Sequence, residues 1–164
     1  MQKAFRILNY VIATEVLIQA ALIAWAVFGL SKYVEDGNTI DKDKMEGDDI
    51  PFDGVYGFIV HGINGMALIP LLGLVLLIVA FRANIPGGVR FAAILFVLIL
   101  VQAYALPALS EEVPFLGALH GANAIAILGM TIAGGKMGAA AIATGPTTPV
   151  TPSGTSPATP PATT

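Results

Sequence analysis

The chain has 164 residues, 55% of them hydrophobic and 12% charged, with a mean hydropathy of +0.78, far outside the range of soluble globular domains. Its net charge of −3 conceals a strong segregation of basic and acidic residues along the chain. Cysteine is absent, which excludes disulfides, zinc–thiolate and iron–sulfur sites, thiolate catalysis and haem attachment through a protein thiol. The sequence also carries no phosphate-binding loop, no nucleophile with an accompanying base and no basic surface for nucleic acid.

Crossing a hydrocarbon layer of about 30 Å takes roughly 20 helical residues. Four apolar stretches meet that length, at about 7–30, 55–81, 91–109 and 113–134. The first follows Lys3 and Arg6 and contains Ala24-Trp25-Ala26, an A-x-A-like cleavage pattern. Its apolar part is too long for a signal-peptide core, so it reads as a permanent span. Between spans one and two lies an acidic loop, 31–54. The connections from two to three and from three to four are short, which makes consecutive spans antiparallel neighbours in an all-α, up-down four-helix bundle.

Lys3, Arg6, Arg82, Arg90 and Lys136 fall at one end of the spans without a single acid. The other end holds Glu35, Asp36, Asp41, Asp43, Glu46, Asp48, Asp49, Asp53, Glu111 and Glu112 against Lys32, Lys42 and Lys44. The positive-inside rule then puts both termini in the cytoplasm of a bacterial cell, with an acidic outer cap. The membrane domain is taken as 1–138. Residues 139–164 are assigned to a Pro/Thr-rich cytoplasmic tail, which from Gly145 lacks the apolar groups needed to offset the entropy of ordering.

Polar side chains inside the spans are few, and each costs free energy in hydrocarbon. Span one has Glu15 and Gln19, span two His61 and Asn64, span three Gln102, span four His120 and Asn123. At a rise of about 1.5 Å per residue, both histidines lie roughly 10 Å below the outer boundary. Gln19 reaches the same level, with Glu15, Asn64, Gln102 and Asn123 about a turn deeper. The segments "VHGING" and "LHGANA" share His, Gly and Asn offsets, and "QAAL" in span one rhymes with "QAYAL" in span three. The pattern predicts two helical hairpins related by a pseudo-twofold axis along the membrane normal.

In such a bundle spans two and four are diagonal, with axes about 14 Å apart. That separation is expected to keep the imidazoles out of direct contact and to leave room for an intervening group. Haem accepts one imidazole on each face of its iron, so His61 and His120 are candidate axial ligands of one b-type haem. Gly57, Gly62 and Gly65 around His61, and Gly117 and Gly121 around His120, are expected to leave slots for a flat macrocycle. Asn64, Asn123, Gln19 and Gln102 complete the polar lining. Two histidines so far apart cannot complete the shell of another metal. Against this stands the plainer reading, in which the histidines hydrogen-bond between helices and the glycines allow close helix approach.

Glu15 near the midplane is expected to be neutral or hydrogen-bonded to Gln19 or Gln102, either bridging helices or accepting protons beside a redox group. Pro70 is expected to kink span two and Pro107 to loosen the outer end of span three.

Gln19, His61 with its small neighbours, Gln102 and the segment "LHGANAIAIL" resemble a family of small, largely actinobacterial four-span membrane proteins classed as a domain of unknown function. The long acidic loop and Glu15 depart from that pattern. The resemblance implies the four-span architecture and the paired histidines but no activity. A looser likeness in principle links the chain to the four-helix b-type cytochromes of respiratory membrane anchors. Two functional expectations follow. One is a haem-binding electron-transfer module in the lipid bilayer, working with a respiratory or other membrane complex and compatible with homo-oligomers. The other is a non-catalytic accessory or assembly subunit in which the histidines are structural. Neither makes the chain a stand-alone enzyme.

Overall fold

The computed structural model describes residues 1–41 and 52–145, which include four long helices and no strand. They are α1 (Gln2–Glu35), α2 (Val55–Ala83), α3 (Gly88–Glu112) and α4 (Pro114–Thr144), each long and apolar enough to cross a membrane. On this basis the chain is a multi-pass membrane protein. Only 22–28% of each helix's most apolar segment is buried inside the bundle. The remaining apolar surface needs a nonaqueous surrounding, since a soluble four-helix bundle would present a polar outer face. Trp25, Tyr56, Tyr104 and Phe115 are exposed on the half of the bundle nearer the acidic end, where membrane proteins place an aromatic belt.

The helices exceed the expected spans at nearly every end. The largest difference is in α4, which continues through Thr144 and so takes residues 139–144 away from the expected tail. The reason is local: "GAAAIAT" is rich in alanine, the best helix former, and lies beyond Lys136, past the expected end of the span. Gly145 ends the helix at φ 52. Residues 146–164 of the expected tail and residues 42–51 of the acidic loop lie outside the described residues.

Consecutive helices run antiparallel, and the neighbouring pairs α1–α2, α2–α3, α3–α4 and α4–α1 close a ring. This leaves α2 and α4 on a diagonal. The connection after α2 turns on Asn84 and Gly87, at φ 51 and 72, left-handed conformations that Asn and Gly adopt most readily. Between α3 and α4 the break is the single extended residue Val113, followed by a 3₁₀ turn at Pro114–Leu116.

Small residues set the closest approaches. On α4, an added Cβ at Gly135 would fall 2.5 Å from the Tyr10 ring and one at Gly138 2.9 Å from the Arg6 Cβ, while one at Gly134 would overlap the Asn9 amide. Phe5, Ile12, Leu76, Leu95, Ile99 and Ile127 are essentially fully buried, the first five in the halves of their helices toward the basic end and Ile127 near the middle of α4. Asn9 and Thr131 are buried among them, each donating to a backbone carbonyl one turn earlier. The half of the bundle nearer the acidic end is packed mainly through smaller groups.

Pro70 and Pro107 each lie just beyond a wide, π-helical turn, at Asn64–Leu68 and Val101–Ala105. Proline has no N–H for the carbonyl four residues earlier, and for Pro70 that carbonyl belongs to Met66. It accepts instead from the Tyr104 hydroxyl on α3, at 2.6 Å. The two wide turns are in contact with each other, so the proline positions join α2 to α3.

A candidate paired-histidine site

His61 lies on the last α-helical turn of α2 before its wide turn, and His120 lies one turn into the regular part of α4. Both side chains enter the bundle between the diagonal helices. Their ring centroids are 6.3 Å apart, with the planes inclined at 48°. The expectation that the diagonal keeps the rings out of each other's reach is therefore corrected: each side chain spans several ångströms of it, and the rings approach to aromatic-pair distance.

This separation can be compared with that of a shared metal centre. A metal–imidazole bond of about 2.0 Å, plus about 1.1 Å from the bonding nitrogen to the ring centroid, gives roughly 6 Å between two rings on opposite sides of one ion. The observed centroid separation of 6.3 Å is close to that value.

His61 is further oriented by α1. Its Nδ1 is 3.1 Å from the backbone carbonyl of Gln19. A carbonyl only accepts, so Nδ1 carries the proton and donates. In the neutral ring the lone pair is then on Nε2, the usual arrangement of a histidine whose second nitrogen binds a metal. The ring nitrogens of His120 have no hydrogen-bond partner among the described residues.

The five glycines divide into two groups. A Cβ at Gly62 or Gly121 would meet nothing within 4 Å, and at Gly65 and Gly117 the nearest atoms, Gln19 Oε1 and Ser110 Oγ, are 3.8 Å away. Gly62, Gly65 and Gly117 are half-buried beside the histidine-bearing turns without crowding a neighbour, whereas Gly121 lies on an exposed face of α4. Gly57 does crowd its neighbours: a Cβ there would lie 2.6 Å from the Leu22 carbonyl oxygen and 3.0 Å from the Ala26 Cβ. It is a helix-contact glycine that brings α2 against α1, one turn above His61, and its assignment to a cofactor slot is corrected.

The amides are not arranged alike in the two halves. Asn123 donates to the Gln102 side-chain oxygen at 2.9 Å and to the Leu98 carbonyl at 3.0 Å, tying α4 to α3 beneath His120. Asn64 forms no corresponding side-chain bond among the described residues. Gln19 serves His61 through its backbone, and both polar atoms of its own amide are buried without a partner although the residue is only 8% exposed. Glu15 Oε2 is likewise buried and unpartnered, so the expected bond from Glu15 to Gln19 or Gln102 does not form. An orphaned buried polar atom costs about 1–3 kcal/mol. Of these, Gln19 is the buried one beside His61, whereas Glu15 is half-buried and lines an open groove on α1 with Ile7, Tyr10, Val11 and Thr14; Asn9 Oδ1 is likewise unpartnered in the packed half.

No group of three or more His, Asp or Glu side chains converges among the described residues. The two histidines would thus supply only axial ligands, leaving the other positions on an ion to a group that brings its own donors. The contact that sequence reasoning missed is Tyr104 to the Met66 carbonyl. The available signal was the carbonyl left without a donor by Pro70, although nothing in the sequence indicated which hydroxyl would reach it. The chain has no significant match among protein-family models, curated proteins or solved structures.

Proposed function

We propose that this protein is a multi-pass membrane protein of the b-type haem class, with His61 and His120 as axial ligands of one haem and electron transfer as its role. The observation that supports the reading is the pair of half-buried imidazoles, 6.3 Å apart on diagonal helices, with Nδ1 of His61 donating to the Gln19 carbonyl. Haem supplies one-electron chemistry, and with both axial positions filled it is poorly suited to binding oxygen.

The chain's own residues then have distinct tasks. The Gln19 carbonyl orients His61, the Asn123–Gln102 pair holds α4 to α3 below His120, and Gly62, Gly65 and Gly117 add no side chain beside the histidine-bearing turns. Glu15 provides a proton-accepting group a turn deeper. In the proposed orientation both termini and the basic end are cytoplasmic, so the site is nearer the outer face of a bacterial inner membrane. Such a module works with a partner membrane complex, because a single haem at that depth does not span the bilayer. The reading keeps the resemblance to the four-span family and treats the two hairpins as a diverged pseudo-twofold repeat, with matching histidines and unlike amide bonds.

The test is the absorption spectrum of detergent-purified protein expressed with ample haem, oxidised and then dithionite-reduced. A Soret band that sharpens on reduction, with a split of the visible bands typical of six-coordinate low-spin iron, is expected. His61→Ala and His120→Ala should each abolish that low-spin signature. Colourless protein, or two histidine variants with unchanged spectra, would overturn the assignment. Glu15→Gln should retain the bands and flatten the pH dependence of the midpoint potential.

A second reading is favoured by the same ring geometry. Imidazoles at 6.3 Å and 48° also suit a direct tilted ring pair. The protein would then be an accessory or assembly subunit whose histidines link α2 to α4. It would be colourless, and His120→Phe would leave its stability close to that of the parent.

A further inference from the structure

At the basic end, the start of α1, the end of α2 and the last turn of α4 border an open cavity of about 420 Å³, lined by Gln2, Lys3, Arg82, Ala83, Asn84 and Ile142 together with the first residue. Lys3 and Arg82 approach it from different helices. Neither is in an ion pair or hydrogen bond among the described residues, whose one salt bridge is Lys32–Asp36 at the opposite end. No acidic residue occurs between Asp53 and Glu111 or after Glu112, and none precedes Glu15, so this end contains no side chain that could neutralise them.

The other charged groups at this end are also basic. Arg6 lies 5.9 Å from the centre of the Tyr10 ring, and Arg90 and Lys136 do not line the cavity. The free N–H groups opening α1 favour an anion, while the last carbonyls of α2 and α4 oppose one with partial charge only. Two full positive charges decide the sign. On the membrane side, the surface next to Arg82 is apolar and exposed: Phe81 is 66% and Ile78 47% accessible. A ligand here meets cations and amides at its head and hydrocarbon-facing side chains below.

We propose that this cavity binds the phosphate-bearing headgroup of an anionic phospholipid, with Lys3 and Arg82 on the phosphate, Gln2 and Asn84 on the headgroup's hydroxyls, and the acyl chains along α2 beside Ile78 and Phe81. The shared chemistry is a phosphate ester. The lipid is preferred to free phosphate because Ile78 and Phe81, one turn and one residue before Arg82 on α2, are apolar and exposed. A basic pocket between helix ends at a membrane boundary is the usual form of such a site. The proposal does not depend on the histidine pair.

The test compares the full chain in nanodiscs of phosphatidylcholine with the same chain in a mixture of phosphatidylcholine and phosphatidylglycerol. Phosphatidylglycerol is expected to raise the thermal midpoint by about 2–4 °C, the shift for about 1 kcal/mol in a chain of this size. Lys3→Gln with Arg82→Gln should lose that rise. Arg90→Gln with Lys136→Gln, which removes the same charge from the same end but not from the cavity, should keep it. Native mass spectra provide a readout independent of unfolding, with phosphatidylglycerol retained on the parent and on the second pair and missing from the first. No rise in the parent, or equal loss in both pairs, would overturn the site in favour of diffuse attraction to an anionic surface. Inorganic phosphate reproducing the whole rise in phosphatidylcholine alone would overturn the lipid assignment.

Discussion

Glycine shows how residues of one type acquire opposite roles in this bundle. Gly57 and Gly62 are five positions apart on α2, yet a Cβ at the first would strike the Leu22 carbonyl and one at the second would meet nothing. Gly57→Ala is therefore expected to separate α1 from α2 at a cost of about 1–3 kcal/mol, as overpacking does. Gly62→Ala should be neutral or stabilising by up to about 1 kcal/mol, because it removes the backbone entropy penalty of a helical glycine. Thermal or denaturant unfolding in one detergent compares the two directly, and similar effects at both positions would contradict the division. Under the proposed haem reading Gly62→Ala would acquire a second effect, since a methyl group would be added next to His61. A variant that is stable without haem and impaired in retaining it would separate packing from clearance. The sequence showed glycines beside both histidines, but only the direction of each Cα–Cβ vector distinguishes contact from opening.

At the scale of elements, the wide turns before Pro70 and Pro107 connect helices as well as shape them. Tyr104→Phe removes the bond to the Met66 carbonyl and is expected to cost about 1 kcal/mol. Pro70→Ala restores an N–H that can serve the same carbonyl from within α2. In that background the tyrosine substitution should cost less, so the double-mutant cycle should show coupling of about 0.5 kcal/mol or more. Additive effects would mean that the hydroxyl and the proline act independently. Much of the architecture was readable from hydropathy: four spans, their order, and the short connections that make neighbours antiparallel. Three features were not. The "GAAAIAT" end of α4 lies beyond Lys136, past the expected end of the span, and continues as helix on its alanines. The wide turns depend on packing between α2 and α3, to which the prolines only point. The approach of His61 and His120 depends on side-chain direction, whereas a spacing argument measures helix axes. Matched depths did put Gln19 and His61 together, but the contact uses a backbone carbonyl that is not encoded in residue type.

Across the whole molecule, the two halves of the bundle have different sources of order. From the middle of the bundle toward the basic end, Phe5, Ile12, Leu76, Leu95, Ile99 and Ile127 form a filled apolar core. Leu76→Ala should cost about 2–5 kcal/mol there whether or not the protein is loaded with haem. Around the histidines the interior has uncrowded glycines and the unpartnered amide of Gln19. Local opening follows the weaker packing. In unloaded protein, backbone amides of the α2 segment Val55–Ile63 and of the first turns of α4 should exchange hydrogen faster than those around Leu76 and Ile127. A ligand joining His61 to His120 favours the closed state in proportion to its concentration over its dissociation constant. Haem should therefore slow exchange in both histidine-bearing segments together and leave the aliphatic half nearly unchanged. Protection of only one segment would argue for a single ligand histidine. Unaltered exchange in both, despite bound colour, would put the haem elsewhere and leave the two imidazoles as a packing pair.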